Sequence, residues 1–296
     1  MGNKHIDNTS KHSDVIKNPW SVLREYTDAR IGLGRSGISL PTSHLLDFQL
    51  AHAQAQDAVH LPLDVDYIFE QIDNTSFNVN IVTSNRTNKE LLQKGHKSIL
   101  LHSEAKDRIE YLQRPDLGRK LNQKSHNILK DTVSVESRPY DLAIVIVDGL
   151  SSLAIKENAI NFIDKLCQAL SQDKQEWSIA PFTIVQQGRV AIGDEVGMLL
   201  NAKATLVLIG ERPGLSSPDS LGLYLTWDAQ VGLTDANRNC ISNVRLDGLS
   251  YAEAVKKTIY LLKESRRLEL SGVNLKDRTT NDEIELTNSE ENFLLN

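Results

Sequence analysis

Three stretches of this 296-residue chain, two of them at the end of an apolar run, carry side chains that bind rather than react. In "LVLIGERPG" (206–214) four apolar residues run into Gly210, and Glu211 then offers a carboxylate to amide or hydroxyl donors. In "QGRVAIGD" (187–194) Gly188 suits a turn, Arg189 and Val190 are expected to face a crevice, and a helix N-terminus brings unpaired amide donors. "RNCISNVRLDG" (238–248) adds the thiol of Cys240 in what reads as a third connection. Taken singly, each has an ordinary role: Glu211 as a turn residue, Val190 as packing, Cys240 as a small buried hydrophobe. Together they suit a large ligand with both apolar and amide-bearing edges, so Val190, Glu211 and Cys240 form the candidate binding set. Gly210, Pro213 and Gly214 are expected to shape the turn at Glu211 unaided, so that Glu211→Ala would change folding little.

Other motifs carry less. Gly32, Gly34 and Gly37 in "RIGLGRSGIS" satisfy the glycine pattern of dinucleotide-binding folds, but that pattern must follow a buried strand and open a helix. Here it follows the polar "LREYTDAR" and leads into Pro41. A glycine-rich loop is the better reading, with Arg30 and Arg35 contacting backbone, a carboxylate or a partner. His44, His52 and His60 recur every eight residues. A helix turns by roughly 80° over that interval, so the rings do not converge on a metal. Metallopeptidase, phosphate-loop and serine-hydrolase signatures are absent. No catalytic constellation and no metal site is therefore assigned to this chain. Cys167 and Cys240 are its two cysteines, too few for a disulfide framework.

The elements that must position these residues change character near residue 135. Before it the pattern is helical: Asn18-Pro19 opens one element, "PTSHLLDFQLAHAQAQDAVH" sets Leu45, Phe48, His52, Ala55 and Val59 on one helical face, and shorter patterns fall near 64–72 and 87–95. "DRIEYLQRPDLGRKL" ends a helix before Pro115. After residue 135, "YDLAIVIVDG" (140–149) is an unbroken apolar strand closing on Asp-Gly, followed by a helix with Ile160, Ile163, Cys167 and Leu170 on one face. Strands are expected within "IAPFTIVQQG", "ATLVLIG" and "LGLYLTW", and Ser250 to Glu253 forms a capping box for a last helix. The fold class is α/β: a Rossmann-like, doubly wound C-terminal domain preceded by an N-terminal helical arm or subdomain. The expected boundaries are 1–17 as a flexible extension, 18–134 as the helical arm, 135–276 as the ligand-binding domain and 277–296 as an acidic, disordered tail.

Charge excludes further classes. The net charge is −6, and the last twenty residues hold six acids against one arginine, which leaves the rest about one charge from neutral. Nucleic acid is not an expected partner. The basic stretch at 114–130 has no interleaved aromatics and reads as a solvated helix or connector. No apolar run approaches the roughly 20 residues that span a bilayer, and the polar N-terminus has no apolar signal core, so neither a membrane nor export is expected.

"YTDARIGLGRSGISLPTSHLLDFQLAHAQAQDAV", "DRIEYLQRPDLGRKL", "YDLAIVIVDGLSSLAI", "QQGRVAIGDEVG", "VLIGERPGLSSPDSLGLYLTW" and "CISNVR" together resemble the small (light) subunit family of ethanolamine ammonia-lyases, over roughly residues 19–276. The resemblance implies an ammonia-lyase that uses adenosylcobalamin to convert ethanolamine to acetaldehyde and ammonia by a radical route. It also implies a large-subunit partner that binds most of the substrate, and a small subunit whose Rossmann-like domain covers part of the cobalamin. By motif, the family's cofactor contacts fall on Val190, Glu211 and Cys240. The setting it implies is a bacterial microcompartment or the cytoplasm, with the polar N-terminus as a place for an encapsulation signal. The alternative is a stand-alone corrinoid- or nucleotide-binding α/β module without catalysis.

Overall fold

The computed structural model of the chain describes residues 15–27, 29–77, 79, 98–132 and 138–277. The expected helix at 87–95 lies outside these residues, as do most of the expected N-terminal extension and acidic tail. The described residues fall into two compact units, one within Met1–Asp57 plus Gly214–Ser216, the other within Ala58–Pro213 and Ser217–Asn296.

The first unit holds a 3-10 helix, Pro19–Glu25, and most of α1, Thr42–His60. Asn18 caps the former by accepting from the Trp20 amide at 2.9 Å, as its Asn-Pro start suggests. Between them the three glycines of the misleading motif all adopt positive φ and fold the chain back on itself. Ile16 and Arg35 exchange backbone hydrogen bonds at 2.8 and 2.9 Å across this loop. Gly34 sits at φ +75°, and a Cβ there would lie 2.5 Å from the Ile16 carbonyl oxygen. The motif is thus a clasp for residues 16–21, which is why it lacks the strand and helix of a nucleotide site. Arg30 reaches the Leu215 carbonyl at 3.5 Å, the backbone contact among those expected of it.

Much of this unit's apolar surface is exposed. The face of α1 that carries Leu45 and Phe48 is open, and the buried positions of the helix are Ala51 and Ala58. The histidines do not converge: His44 lies 3.8 Å from Asp47, and His52 packs edge-on against Phe48. Among the described residues no group of three or more His, Cys, Asp or Glu is placed to hold a metal ion.

The second unit is mixed α/β. After α2 (Val65–Asn74) come β1 (Ser98–His102), α3 (Arg108–Gln113), α4 (Gln123–Thr132) and β2 (Tyr140–Val147). Then α5 (Ser152–Ala154) passes through one π-helical turn into α6 (Ile160–Ser171). β3 (Phe182–Gln186), α7 (Ile192–Leu199), β4 (Ala202–Gly210), β5 (Leu221–Trp227), β6 (Arg238–Val244) and α8 (Tyr251–Leu268) complete it. The strands form one sheet in the order β1-β3-β2-β4-β5-β6. β1, β3, β2 and β4 are parallel, and β5 and β6 are antiparallel additions.

Two expectations need correction. The sheet is not parallel throughout, because the connections 211–220 and 228–237 carry no crossover helix, and without one the chain re-enters from the end it left. The sheet also begins before residue 135, with β1 inside the stretch read as helical. Its run "SILLH" is too short for periodicity to separate strand from buried helix.

The core has two faces. On β2, Leu142, Ile144 and Ile146 pack toward α6 and α8, whereas Val145 and Val147 pack toward α7 and Leu129 of α4. Both faces of β2 and β4 are therefore covered, which is why these strands read as unbroken apolar runs. Ser250 caps α8 through a hydrogen bond from the Glu253 amide, as its capping box suggests. Among the described residues no helix is long and apolar enough to cross a membrane.

Gly34→Ala is expected to weaken the clasp of the first unit by about 1–3 kcal/mol, because it adds both strain and a clash. Hydrogen exchange at the Ile16 and Arg35 amides should rise about tenfold or more while β2 and β4 stay protected. Unchanged protection at those two amides would contradict this account of the glycine loop.

Candidate functional site

The chain leaves β2 through α5 and α6 on one face of the sheet to reach β3. It then returns through α7 on the other face, across β2, to β4. The loops after β2 and β3 therefore lead to opposite faces of the sheet, and such a reversal leaves a crevice at the carboxyl ends of parallel strands. A cavity of about 380 Å³ lies there. Val190, from the loop after β3, and Glu211, from the end of β4, both line it, together with Arg189, Leu150, Arg212 and Tyr224. Two of the three sequence-derived residues are thus brought to one site.

Cys240 arrives differently. It lies within β6 and not in a connection, because Arg238–Val244 pairs antiparallel with β5 and puts Cys240 opposite Tyr224. Cys240 is an exposed residue paired across the two strands with Tyr224, and Tyr224 itself borders the cavity. Burial raises the pKa of both groups above the ordinary range. Cys167 is buried in the core, and its thiol is pushed up to about 12, also by burial.

Glu211 is more firmly tied than its sequence suggests. Its carboxylate accepts from the Ser220 hydroxyl, from the Ser242 hydroxyl at 2.6 Å and from the Asn243 amide at 3.1 Å. The geometry follows from a bulge. Leu221 pairs with Val244 and Leu223 with Ile241, so Gly222 alone faces both Ser242 and Asn243. Asn243 adopts φ +60°, and its amide turns toward Glu211. Gly222 makes the room: a Cβ there would sit 2.9 Å from a Glu211 carboxylate oxygen. The expectation that Glu211 is free of structural duties is therefore corrected, because one carboxylate joins the end of β4 to the bulge of β6. Two oxygens offer about four acceptor directions, and three protein donors leave room for one more.

Sequence reasoning missed Tyr111, Arg108, Asp148 and Tyr224. Asp148, at the carboxyl end of β2, is buried and accepts the Gln187 amide at 2.8 Å and the Gly188 amide at 3.1 Å. Burial raises its carboxyl above the usual range, against the pull of those amides and of Arg108 at 3.9 Å. The Tyr111 hydroxyl donates to the Gly188 carbonyl at 3.0 Å. Asp148 had a signal in the "VDG" that ends an apolar strand, and Tyr224 had one as the polar-tipped member of "LGLYLTW". Tyr111 and Arg108 are distant in sequence from the loop they touch and had none.

The site suits one edge of a large ligand. Its floor is apolar at Val190, Leu150 and Ile209, while Arg189 and Arg212 supply donors and Glu211 an acceptor. A corrinoid fits this set at its rim, where primary amide side chains both donate and accept. The cavity is too small to enclose the whole of such a group.

Fold and site together define a mixed α/β protein with a cavity at the carboxyl ends of its parallel strands. Residues 17–276 match the family model described as "Ethanolamine ammonia-lyase light chain (EutC)". A Pseudomonas fluorescens protein named ethanolamine ammonia-lyase small subunit is 50% identical over 288 residues, covering 96% of this chain and 97% of its own. Proteins of that name from Pseudomonas putida and Pseudomonas aeruginosa are each 52% identical. They cover 94% of this chain, and 96% and 92% of their own lengths. The chain belongs to the ethanolamine ammonia-lyase light chain family.

Glu211→Ala is expected to lower stability by about 1–3 kcal/mol, the range for losing hydrogen bonds to a half-buried carboxylate. Glu211→Gln, which keeps one acceptor, should cost less. Denaturant unfolding of the two variants tests this. Equal stability of the alanine variant and the parent chain would mean that the bulge does not depend on the carboxylate.

Proposed function

We propose that this chain is the small subunit of an adenosylcobalamin-dependent ethanolamine ammonia-lyase, and that it covers one edge of the cofactor while a large subunit binds ethanolamine. The observation that carries this reading is the meeting of Val190 and Glu211, with Cys240 paired across the strands with Tyr224, at the crevice where strand order reverses. The second unit is read as a Rossmann-like cobalamin-binding domain and the first as a helical docking arm.

Adenosylcobalamin, when bound, supplies the radical chemistry that takes ethanolamine to acetaldehyde and ammonia. This chain's residues bind, orient and shield. Val190 gives a rigid apolar contact, since its branched side chain has few rotamers to lose. Glu211 accepts from a peripheral amide at the direction its three protein donors leave open. Cys240 and Tyr224 extend the wall toward β6 and limit the access of water. Neither Val190 nor Glu211 is a general acid or base in this reading, and the substrate-handling groups belong to the partner.

The exposed apolar side chains of the first unit support the docking role. Trp20, Tyr26, Ile38, Leu40, Leu46 and Leu50 are all exposed, a concentration that a subunit interface would cover. The family setting points to a bacterial microcompartment or the cytoplasm, with residues 1–17 available as an encapsulation signal.

Mixing the purified chain with the large subunit, ethanolamine and adenosylcobalamin should yield acetaldehyde, and the purified chain alone should yield none. Ile38→Asp, at a fully exposed apolar position, should weaken association with the large subunit about tenfold or more while thermal unfolding of the isolated chain stays the same. Turnover by the isolated chain would contradict the assignment of chemistry to the partner. Undiminished association of the Ile38 variant would move the docking surface elsewhere.

A further inference from the structure

We propose that Tyr111 and Asp148 are positioning residues for the loop Gln187–Val190, which they hold from two directions in the conformation that presents Val190 to the cofactor. The proposal rests on the reading that Val190 touches the cobalamin.

The loop is costly to hold. Gln187 adopts φ +56°, a left-handed conformation that a residue with a side chain rarely takes. Its amide and that of Gly188 point to the two oxygens of Asp148, so one carboxylate fixes two successive peptides. From the other direction, the segment around α3 acts as a strap. The Tyr111 hydroxyl donates to the Gly188 carbonyl, and the Arg189 amide donates to the Gly118 carbonyl at 2.7 Å. The Arg189 guanidinium lies over the Tyr111 ring at 4.2 Å, and its Nη2 donates to the Tyr111 carbonyl at 3.3 Å. Arg108 lies over the same ring at 4.8 Å and ties it to the end of β2 through the Gly149 carbonyl at 2.7 Å. The amides of Gln187, Gly188 and Arg189 and the carbonyl of Gly188 are thus paired by Asp148 or by the strap.

A loop so held costs nothing further to order when the ligand arrives. Without Tyr111 or Asp148, strain at Gln187 is released into other conformations, and binding must first restore the competent one. The effect is therefore on affinity through the fraction of loops in place.

The test uses the complex of this chain with the large subunit and titrates it with cyanocobalamin, an unreactive cobalamin, beside hydrogen exchange of the 187–190 amides without ligand and thermal unfolding. Tyr111→Phe keeps the ring and its stacking but removes the hydroxyl. It is expected to weaken cyanocobalamin binding about tenfold and to speed exchange at Gln187 and Gly188. Its unfolding temperature should move by only a few degrees. Asp148→Asn should act in the same direction and more strongly. Val190→Glu serves as the control for the underlying reading and should abolish binding. If Val190→Glu blocks binding while Tyr111→Phe binds like the parent, the positioning role is overturned and the reading of Val190 stands. If Tyr111→Phe lowers the unfolding temperature sharply but leaves the affinity of the folded complex unchanged, Tyr111 is structural only and the proposal fails. Normal binding by Val190→Glu would overturn the reading itself.

Discussion

The buried carboxylate of Asp148 is the constraint on which the rest of the site depends. A carboxylate removed from water must find donors, and at the end of a central parallel strand they have to come from the loops of neighbouring strands. Asp148 finds them in the amides of Gln187 and Gly188, with Arg108 nearby. That requirement bends the loop after β3 back over β2. Arg189 and Val190, the next two residues, are thereby turned toward the crevice where the order of strands reverses.

Glu211 plays the corresponding part on the other side. It closes the end of β4 onto the bulge of β6, and so turns a hairpin outside the parallel sheet into a wall of the same cavity. The two carboxylates differ in exposure, which separates their roles. Asp148 is buried among its donors and serves only the fold of the loop, while Glu211 is partly exposed and keeps an acceptor direction for a ligand. A site built this way offers a shaped wall and an open acceptor, in keeping with the proposal that this chain holds part of a cofactor which another chain completes.

Much of this was legible in the sequence where burial leaves a period or an interruption. β2 and β4, covered on both faces, show as apolar runs, and the residues just past β3 and β4 stand out because polarity returns there abruptly. The capping box at Ser250 and the Asn-Pro at residue 18 are local signals, and both elements begin where those signals fall. What was illegible is what depends on pairing across distance. "SILLH" holds three consecutive apolar residues whichever element it forms, and only β3 makes it a strand. The antiparallel sense of β5 and β6 is fixed by connections too short for a crossover, and Cys240 therefore moves from a loop to a strand. The duties of Glu211 required a bulge about thirty residues away, and the strap at Tyr111 required a fold that returns over the loop after β3.

The central claim is that a corrinoid edge lies against Val190, Glu211 and Cys240, and the thiol of Cys240 reports on it most directly. Of the chain's two cysteines, Cys240 is exposed and Cys167 buried. Alkylation of the complex with the large subunit, followed by mass spectrometry of the peptide holding Cys240, gives its rate with and without cyanocobalamin. Because burial raises this thiol's pKa, the comparison belongs at mildly alkaline pH, where more thiolate is present. The account expects alkylation to slow about tenfold or more when the cobalamin is bound. Equal rates at saturating cobalamin would mean that the cofactor lies elsewhere.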